Sequence, residues 1–257
     1  TRLSRGLGDV YKRQKQVREL FITHHHFDHI GSLFACLGLN MMMHRHQPMN
    51  IYGPPGTSKI LDHLIAACDI PQATGFSVPG QTLPHPRDFI NSRDVQPGEI
   101  LYIDDIRISC CENTHYRPED QFGKQGPISL SYRFDAPDRS MVFTGDTGPC
   151  LALEEFAKNA DLLVGELFDT ELVINRLRAT NPDMSDHALL QMRQHFDEHH
   201  LTPEDLGQLA SRAGVKKVVA VHIPFITKSA EEDAKYISRI LAKFSGSVTI
   251  SEDLAAY

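Results

Sequence analysis

The 257-residue chain has no tryptophan, five cysteines and no apolar run near the roughly 18 residues that a membrane-spanning helix needs. The missing run excludes helical membrane spanning, and no membrane partner is expected. Cys36, Cys68, Cys110, Cys111 and Cys150 are odd in number, lack C-x-x-C spacing, and include two neighbours that cannot readily pair. They read as reduced thiols, so a cytoplasmic location is expected. A basic excess is absent too. With 26 Lys and Arg against 33 Asp and Glu the net charge is -7, so no global field advertises nucleic acid. The 17 glycines and 15 prolines are dispersed, which excludes a fibrous or low-complexity chain.

Histidine is what the chain has in excess, with 14 in all and four of them, His24, His25, His26 and His29, inside six residues. Residues 1–14, TRLSRGLGDVYKRQ, contain no signal-peptide core and resemble a translated sequencing adapter. Native sequence is expected from about Lys15, with residues 15–257 forming one domain.

Short aliphatic runs then alternate with amphipathic stretches, the pattern of strands buried between helical layers. Strands are expected at Glu19–Thr23, Asn50–Gly53, Arg107–Glu112, Ile128–Phe134, Ser140–Thr144, Asp161–Gly165, Lys217–Val221 and Ser247–Ser251. Helices are expected at Thr57–Ala67, Leu151–Asn159, Ser185–Glu198, Thr202–Ala213 and Ala230–Phe244. Thr202 supplies an N-cap and Pro203 the first turn.

The segment Thr23-His24-His25-His26-Phe27-Asp28-His29-Ile30-Gly31 follows the first strand, at the strand end where α/β sheets carry their sites. In extended backbone His24 and His26 project to one side, and Asp28 and His29 follow as the chain turns. Imidazole with carboxylate suits zinc, iron or manganese better than calcium or magnesium. Three later segments each end an aliphatic run on a polar residue: Cys111-Glu112-Asn113-Thr114-His115, Phe143-Thr144-Gly145-Asp146-Thr147, and Val218-Val219-Ala220-Val221-His222.

Taken in order, these four segments resemble the metal-binding signatures of the metallo-β-lactamase superfamily. The resemblance implies an α/β fold of the αββα sandwich type, two mixed sheets between helical layers. It implies that His24, His26 and His115 hold one divalent transition metal and that Asp28, His29 and His222 hold a second. Asp146 bridges them in that scheme. Zinc is the first expectation, with manganese or iron also compatible, and the nucleophile is a hydroxide shared by the two ions.

A further segment, His200-Leu201-Thr202-Pro203-Glu204-Asp205, with Ala213-Gly214-Val215-Lys216 after it, is similar to ribonuclease Z-like enzymes and their arylsulfatase-like relatives. The resemblance implies that His200 stabilises charge on the substrate or donates a proton. Asp28 and His200 are the residues expected to take part directly in catalysis. Tyr52-Gly53-Pro54-Pro55-Gly56-Thr57 also matches those relatives and reads as a turn at a strand end. The remaining histidines, His25, His44, His46, His63, His85, His187, His195 and His199, read as surface or packing residues, and Met41, Met42 and Met43 as an apolar helix end.

Three departures from the family shape the expected function. His24 follows Lys15 by only nine positions, where relatives place several strands, so the chain is expected to lack its first strands. Asp146 follows His115 by 31 residues, too few for the long arm with which tRNA-processing ribonuclease Z grips its substrate. The stretch from Phe168 to His199 is long enough for a helical cap. A binuclear hydrolase of small phosphodiesters or sulfate esters therefore ranks first, and a ribonuclease Z-like tRNA 3′ endonuclease second. A lactonase, thioesterase or lactamase ranks third and a non-catalytic metal-binding module last. The expected partner is a small ester, ahead of RNA, and a homodimer is compatible with this class.

Overall fold

The computed structural model describes residues 16–75, 80–116, 126–224, 229–253 and 255–257. The chain divides into two compact units, Thr1–Gln96 and Pro97–Tyr257.

The first unit is built on a parallel three-stranded sheet in the order β1 (Glu19–Phe21), β2 (Met49–Gly53), β3 (Ile90–Asp94). Helices α1 (Phe27–Ile30), α2 (Leu33–Met42), α3 (Thr57–Ala67) and α4 (Asp69–Thr74) fill the connections. Along β2 the residues Met49, Ile51 and Gly53 are buried and alternate with half-buried Asn50 and Tyr52, the period-2 pattern of a strand with one face in a core. That core joins Ile22, Leu33, Leu37, Ile51, Leu61 and Phe89. Buried Arg45 ties the chain ahead of β1 to the chain ahead of β2, donating to the carbonyls of Val17 at 2.7 Å and Pro48 at 3.0 Å.

The second unit holds a mixed seven-stranded sheet in the order β10-β9-β8-β7-β6-β5-β4. Its strands are β4 (Ile100–Ile103), β5 (Ile106–Glu112), β6 (Leu130–Asp135), β7 (Ser140–Phe143), β8 (Leu162–Glu166), β9 (Lys217–Val221) and β10 (Ser247–Ile250). Pairing is antiparallel from β4 to β7 and parallel from β7 to β10. Helices α5 (Leu151–Phe156), α6 (Thr170–Thr180), α7 (Asp186–His199), α8 (Pro203–Ala213) and α9 (Ala230–Leu241) complete it. Strand β9 buries Val218, Val219 and Ala220 in succession, as a parallel strand covered on both faces does. Leu163, Leu206, Leu209, Val218 and Ile240 share its core.

All eight expected strands and all five expected helices are present, with ends shifted by a few residues. Thr202 caps α8 as expected, in a capping box with Asp205. Two strands and four helices were not expected as elements, although α2 ends at Met42 where an apolar helix end was expected and α6 lies in the stretch expected to form a helical cap. Strand β3, Ile-Asn-Ser-Arg-Asp, is polar and buries one residue, so it carries no apolar run. Strand β4 is joined to β5 by Asp104 and Asp105 alone, with Asp104 at φ 52°, a two-residue hairpin signal. Helix α2 is apolar on nearly every position and shows no 3.6-residue period. No helix among the described residues is long and apolar enough to cross a membrane.

Candidate metal centre

In the first unit β1 feeds the segment His24–His29. His26 ends the extended stretch, and α1 begins at Phe27 because the amides of His29 and Ile30 both reach back to the His26 carbonyl, at 3.0 and 3.2 Å. This turn gathers the imidazoles. The His24 and His26 ring centroids are 4.9 Å apart, edge to face, and those of His24 and His29 are 4.0 Å apart. His24 is fully buried, while His26 and Asp28 are exposed.

His25, expected only as a packing residue, anchors this segment to the start of α3. Its Nε2 donates to Thr57 Oγ1 at 2.7 Å, and Thr57 donates onward to the Pro54 carbonyl at 2.8 Å. Asp94, at the end of β3, accepts from the amides of Gly56 and Ser58 at 2.9 and 2.8 Å. The Tyr52–Thr57 turn is therefore held from both sides. Burial pushes the His25 imidazole below its usual range, against the pull of Asp94.

In the second unit the ends of β5, β7, β8 and β9 bring His115, Asp146, Glu166 and His222 together, and His200 joins them from the end of α7. One nitrogen or oxygen from each of His115, Asp146 and His200 lies within 4.8 Å of the others, and the same holds for Asp146, Glu166 and His222. Asp146, Glu166, His115 and His200 are buried. Three imidazoles and two carboxylates form a donor set that suits a divalent transition metal, so the residues present fit such an ion.

His115, His200 and Glu166 are each oriented by a partner behind them. His115 Nδ1 donates to the His199 carbonyl at 3.1 Å, which makes Nε2 the nitrogen bearing the lone pair. The His115 amide donates to Asn113 Oδ1 at 3.2 Å, and Asn113 Nδ2 in turn donates to the Thr144 carbonyl at 3.0 Å. His199, read from sequence as packing, is buried and donates from Nδ1 to the Thr114 carbonyl at 2.7 Å. His200 Nδ1 donates to Glu166 Oε2 at 2.8 Å and lies 4.0 Å from Asp146. Glu166 Oε1 accepts from the Thr147 amide at 2.5 Å. The ring of Phe168 stacks on His200 with centroids 4.3 Å apart. Thr202 is the N-cap of α8, and His200 is the last residue of the preceding turn, its amide donating to the Phe196 carbonyl at 2.9 Å.

His222 stands at φ 51°, a left-handed conformation that costs a histidine energy and is held here at the exit of β9. Its Nδ1 lies 3.7 Å from Asp146 Oδ1. Gly148 completes the turn after Asp146. A side chain there would place Cβ 1.8 Å from the Glu198 carbonyl oxygen, so only glycine lets the turn pass the end of α7.

Glu166 was missed in the sequence because it ends a strand as Val-Gly-Glu, without a histidine or a turn to mark it. Its signal was positional: an acidic residue at a strand terminus beside two others that end on site residues. Asn113 and Thr147 lie inside the segments that end at His115 and contain Asp146, where nothing in their spacing sets them apart.

The family model for a β-lactamase superfamily domain matches residues 7–223. Ribonuclease Z of Mycobacterium avium is 26% identical over 239 residues, covering 91% of this chain and 77% of that protein. A putative ribonuclease Z of Mycobacterium tuberculosis is 25% identical over 244 residues, covering 91% and 96%. Among solved structures, the metallo-β-lactamase fold protein YhfI of Bacillus subtilis superposes with TM-score 0.59 at 17% identity, over 93% of this chain and 76% of the other. Human tRNase Z, short form, gives 0.56 at 17%, over 94% and 79%. The structural likenesses carry the fold, and the family match, which runs through all four histidine- and aspartate-bearing segments, carries more: this chain belongs to the metallo-β-lactamase superfamily and is a hydrolase of that class.

Proposed function

We propose that the protein is a metal-dependent phosphodiesterase acting on RNA, a ribonuclease Z-type endonuclease at tRNA 3′ ends. This reverses the order expected from sequence, where a small phosphodiester or sulfate ester came first. Relatives named ribonuclease Z align over nine-tenths of the chain, and that weighs more than one short segment.

The observation that carries the reading is the buried Asp146–His200–Glu166 arrangement with His115 and His222 around it. We assign His24, His26 and His115 to one ion, Asp28, His29 and His222 to the other, and Asp146 to both, with zinc as first choice. When bound, such a pair of ions would lower the pKa of water toward about 7 and neutralise charge on phosphoryl oxygens. Glu166 fixes the His200 tautomer with the proton on Nδ1, so that Nε2 is the nitrogen able to exchange a proton with a leaving oxygen. The same carboxylate stabilises the imidazolium form. Phe168, stacked on the ring, keeps it from turning.

One observation favours the second reading, a small phosphodiester or sulfate ester. Thirty residues lie between His115 and Asp146 and β6 and β7 use ten of them, which leaves little chain for a long arm there.

The test is turnover by metal-loaded protein on a precursor tRNA with a 3′ trailer. It is run beside bis(p-nitrophenyl) phosphate, p-nitrophenyl sulfate, p-nitrophenyl acetate, a lactone and nitrocefin. Multiple-turnover cleavage at the tRNA 3′ end is the expected result. Faster turnover of the bis(p-nitrophenyl) or sulfate ester with no tRNA cleavage promotes the second reading. Preference for acetate, lactone or nitrocefin overturns both.

A further inference from the structure

Phe27 is 83% exposed, more than any other large apolar side chain among the described residues, although it stands between His26 and Asp28 in the metal-binding segment. Single exposed apolar residues are common on protein surfaces and need no explanation. The difference here is confinement. The Phe27 carbonyl accepts from the Gly31 amide at 2.7 Å, and the His29 and Ile30 amides close the same turn onto His26. The ring lies over Gly31: its Cε1 is 3.3 Å from where a Cβ on residue 31 would stand, so the missing side chain at that position makes the seat for the ring. The segment thus spends one of its six positions on a flat apolar face that the fold leaves exposed, one residue from a candidate ligand on either side.

We propose that Phe27 is a stacking platform for the nucleobase adjoining the scissile phosphate. This rests on the phosphodiesterase reading of the same site. A base is planar, presents a π-face whatever its identity, and is carried on the sugar bonded to the reacting phosphate, so one aromatic ring beside the phosphate-binding residues can hold it without demanding a sequence. Lactones and alkyl sulfates offer no such partner, and an aryl sulfate carries its ring directly on the leaving oxygen rather than on an adjoining sugar. Phe27 therefore acts as a specificity-determining residue in favour of nucleic acid.

The experiment uses the full metal-loaded chain and its Phe27→Ala, Phe27→Leu and Phe27→Tyr variants. A short RNA carries 2-aminopurine beside the cleaved bond, and a matching RNA is abasic at that position. Stacking quenches 2-aminopurine on binding. Quenching is expected in the wild type and Phe27→Tyr, reduced in Phe27→Leu and lost in Phe27→Ala. On the base-containing RNA, Phe27→Ala should raise KM on the order of ten-fold with kcat and metal content unchanged. On the abasic RNA the variants and the wild type should match. Undiminished quenching in Phe27→Ala, or an equal loss on both RNAs, overturns the platform while leaving phosphodiester cleavage standing. A wild type that quenches but cleaves neither RNA overturns the phosphodiesterase reading, and with it the placing of the platform beside a scissile bond.

Discussion

The two units present their site residues in opposite ways. Residues 16–96 carry His24, His26, Asp28 and His29 on one turn of six residues, held from behind by His25 and Thr57. Residues 97–257 assemble His115, Asp146, Glu166, His200 and His222 from four strand ends and a helix end, with a buried hydrogen-bond partner behind most of them. The first arrangement is specified by neighbours in sequence. The second exists only when the seven-stranded sheet has its register, and it is the more buried of the two. Damage to the second should therefore spread further, because one change unsettles residues distant in sequence.

The largest effect is expected at Asp146, the residue assigned to both ions. Asp146→Ala should lower turnover by about 10³-fold or more, since losing a charged ligand at the reacting centre costs several kcal/mol. Elemental analysis should show metal retention falling with it. His26→Ala, on the exposed turn, should lose metal with a smaller change in melting temperature. If Asp146→Ala retains two metals per chain and most of its activity, the ligand assignment fails.

Next come His200 and the carboxylate behind it. His200→Ala should leave metal content intact and reduce turnover by about 10²-fold, the scale of a lost proton donor. Glu166→Gln keeps the shape and removes the charge, and should cost about 10- to 100-fold, as loss of a ligand-orienting partner does. The double variant should be little worse than His200→Ala alone, because Glu166 is assigned to act through that ring. Fully additive losses would mean that Glu166 works elsewhere, and metal loss in His200→Ala would make His200 a ligand.

This contrast also sets what could be seen in the sequence. The His24–His29 turn was legible because its spacing is local: period-2 projection and a following glycine need no tertiary information. His115, Asp146 and His222 were legible as strand-end residues, but their grouping came from family resemblance, since no local rule brings β5, β7 and β9 together. Glu166 was invisible for the same reason: nothing in Val-Gly-Glu says that His200, 34 residues on, will reach it. Among the elements, most strands with aliphatic runs and the capped helices α7, α8 and α9 were found, but β4 and the Asp169-capped α6 were not. Polar β3 was not found, and of the largely apolar α2 only the methionine end was, because each is defined by what it packs against.

A smaller, purely structural effect should follow from Gly148→Ala. The new Cβ meets the Glu198 carbonyl, which belongs to backbone and cannot swing aside as a side chain would. The cost is expected at about 3 kcal/mol, the upper part of the overpacking range, lowering the melting temperature by several degrees. Turnover should fall as well, since the turn carries Asp146 and Thr147. An unchanged melting temperature would show that α7 can yield there.

The mildest effects are those of pH, and they should separate the two units. In the second unit the Tyr236 hydroxyl is pushed up to about 12, first by burial and then by the Asp169 carboxylate that accepts its proton at 3.1 Å. Tyrosine in the unfolded chain titrates near about 10, so this contribution to stability is complete below that pH and fades between about 10 and about 12. In the first unit Asp94 moves the other way. Burial, the largest single influence, raises its pKa, but the amides of Gly56 and Ser58, the Ser58 hydroxyl and the nearby His25 together outweigh it and the net shift is downward. Its contribution is present above the unfolded value of about 3.9 and is lost as pH falls below it. Melting temperature followed across pH should therefore show an acid limb that flattens in Asp94→Asn and an alkaline limb that flattens in Tyr236→Phe. Hydrogen exchange should assign the first to residues around α3 and the second to those around α6 and α9. An acid limb unaltered in Asp94→Asn would mean that the Gly56–Ser58 turn is held by His25 and Thr57 alone.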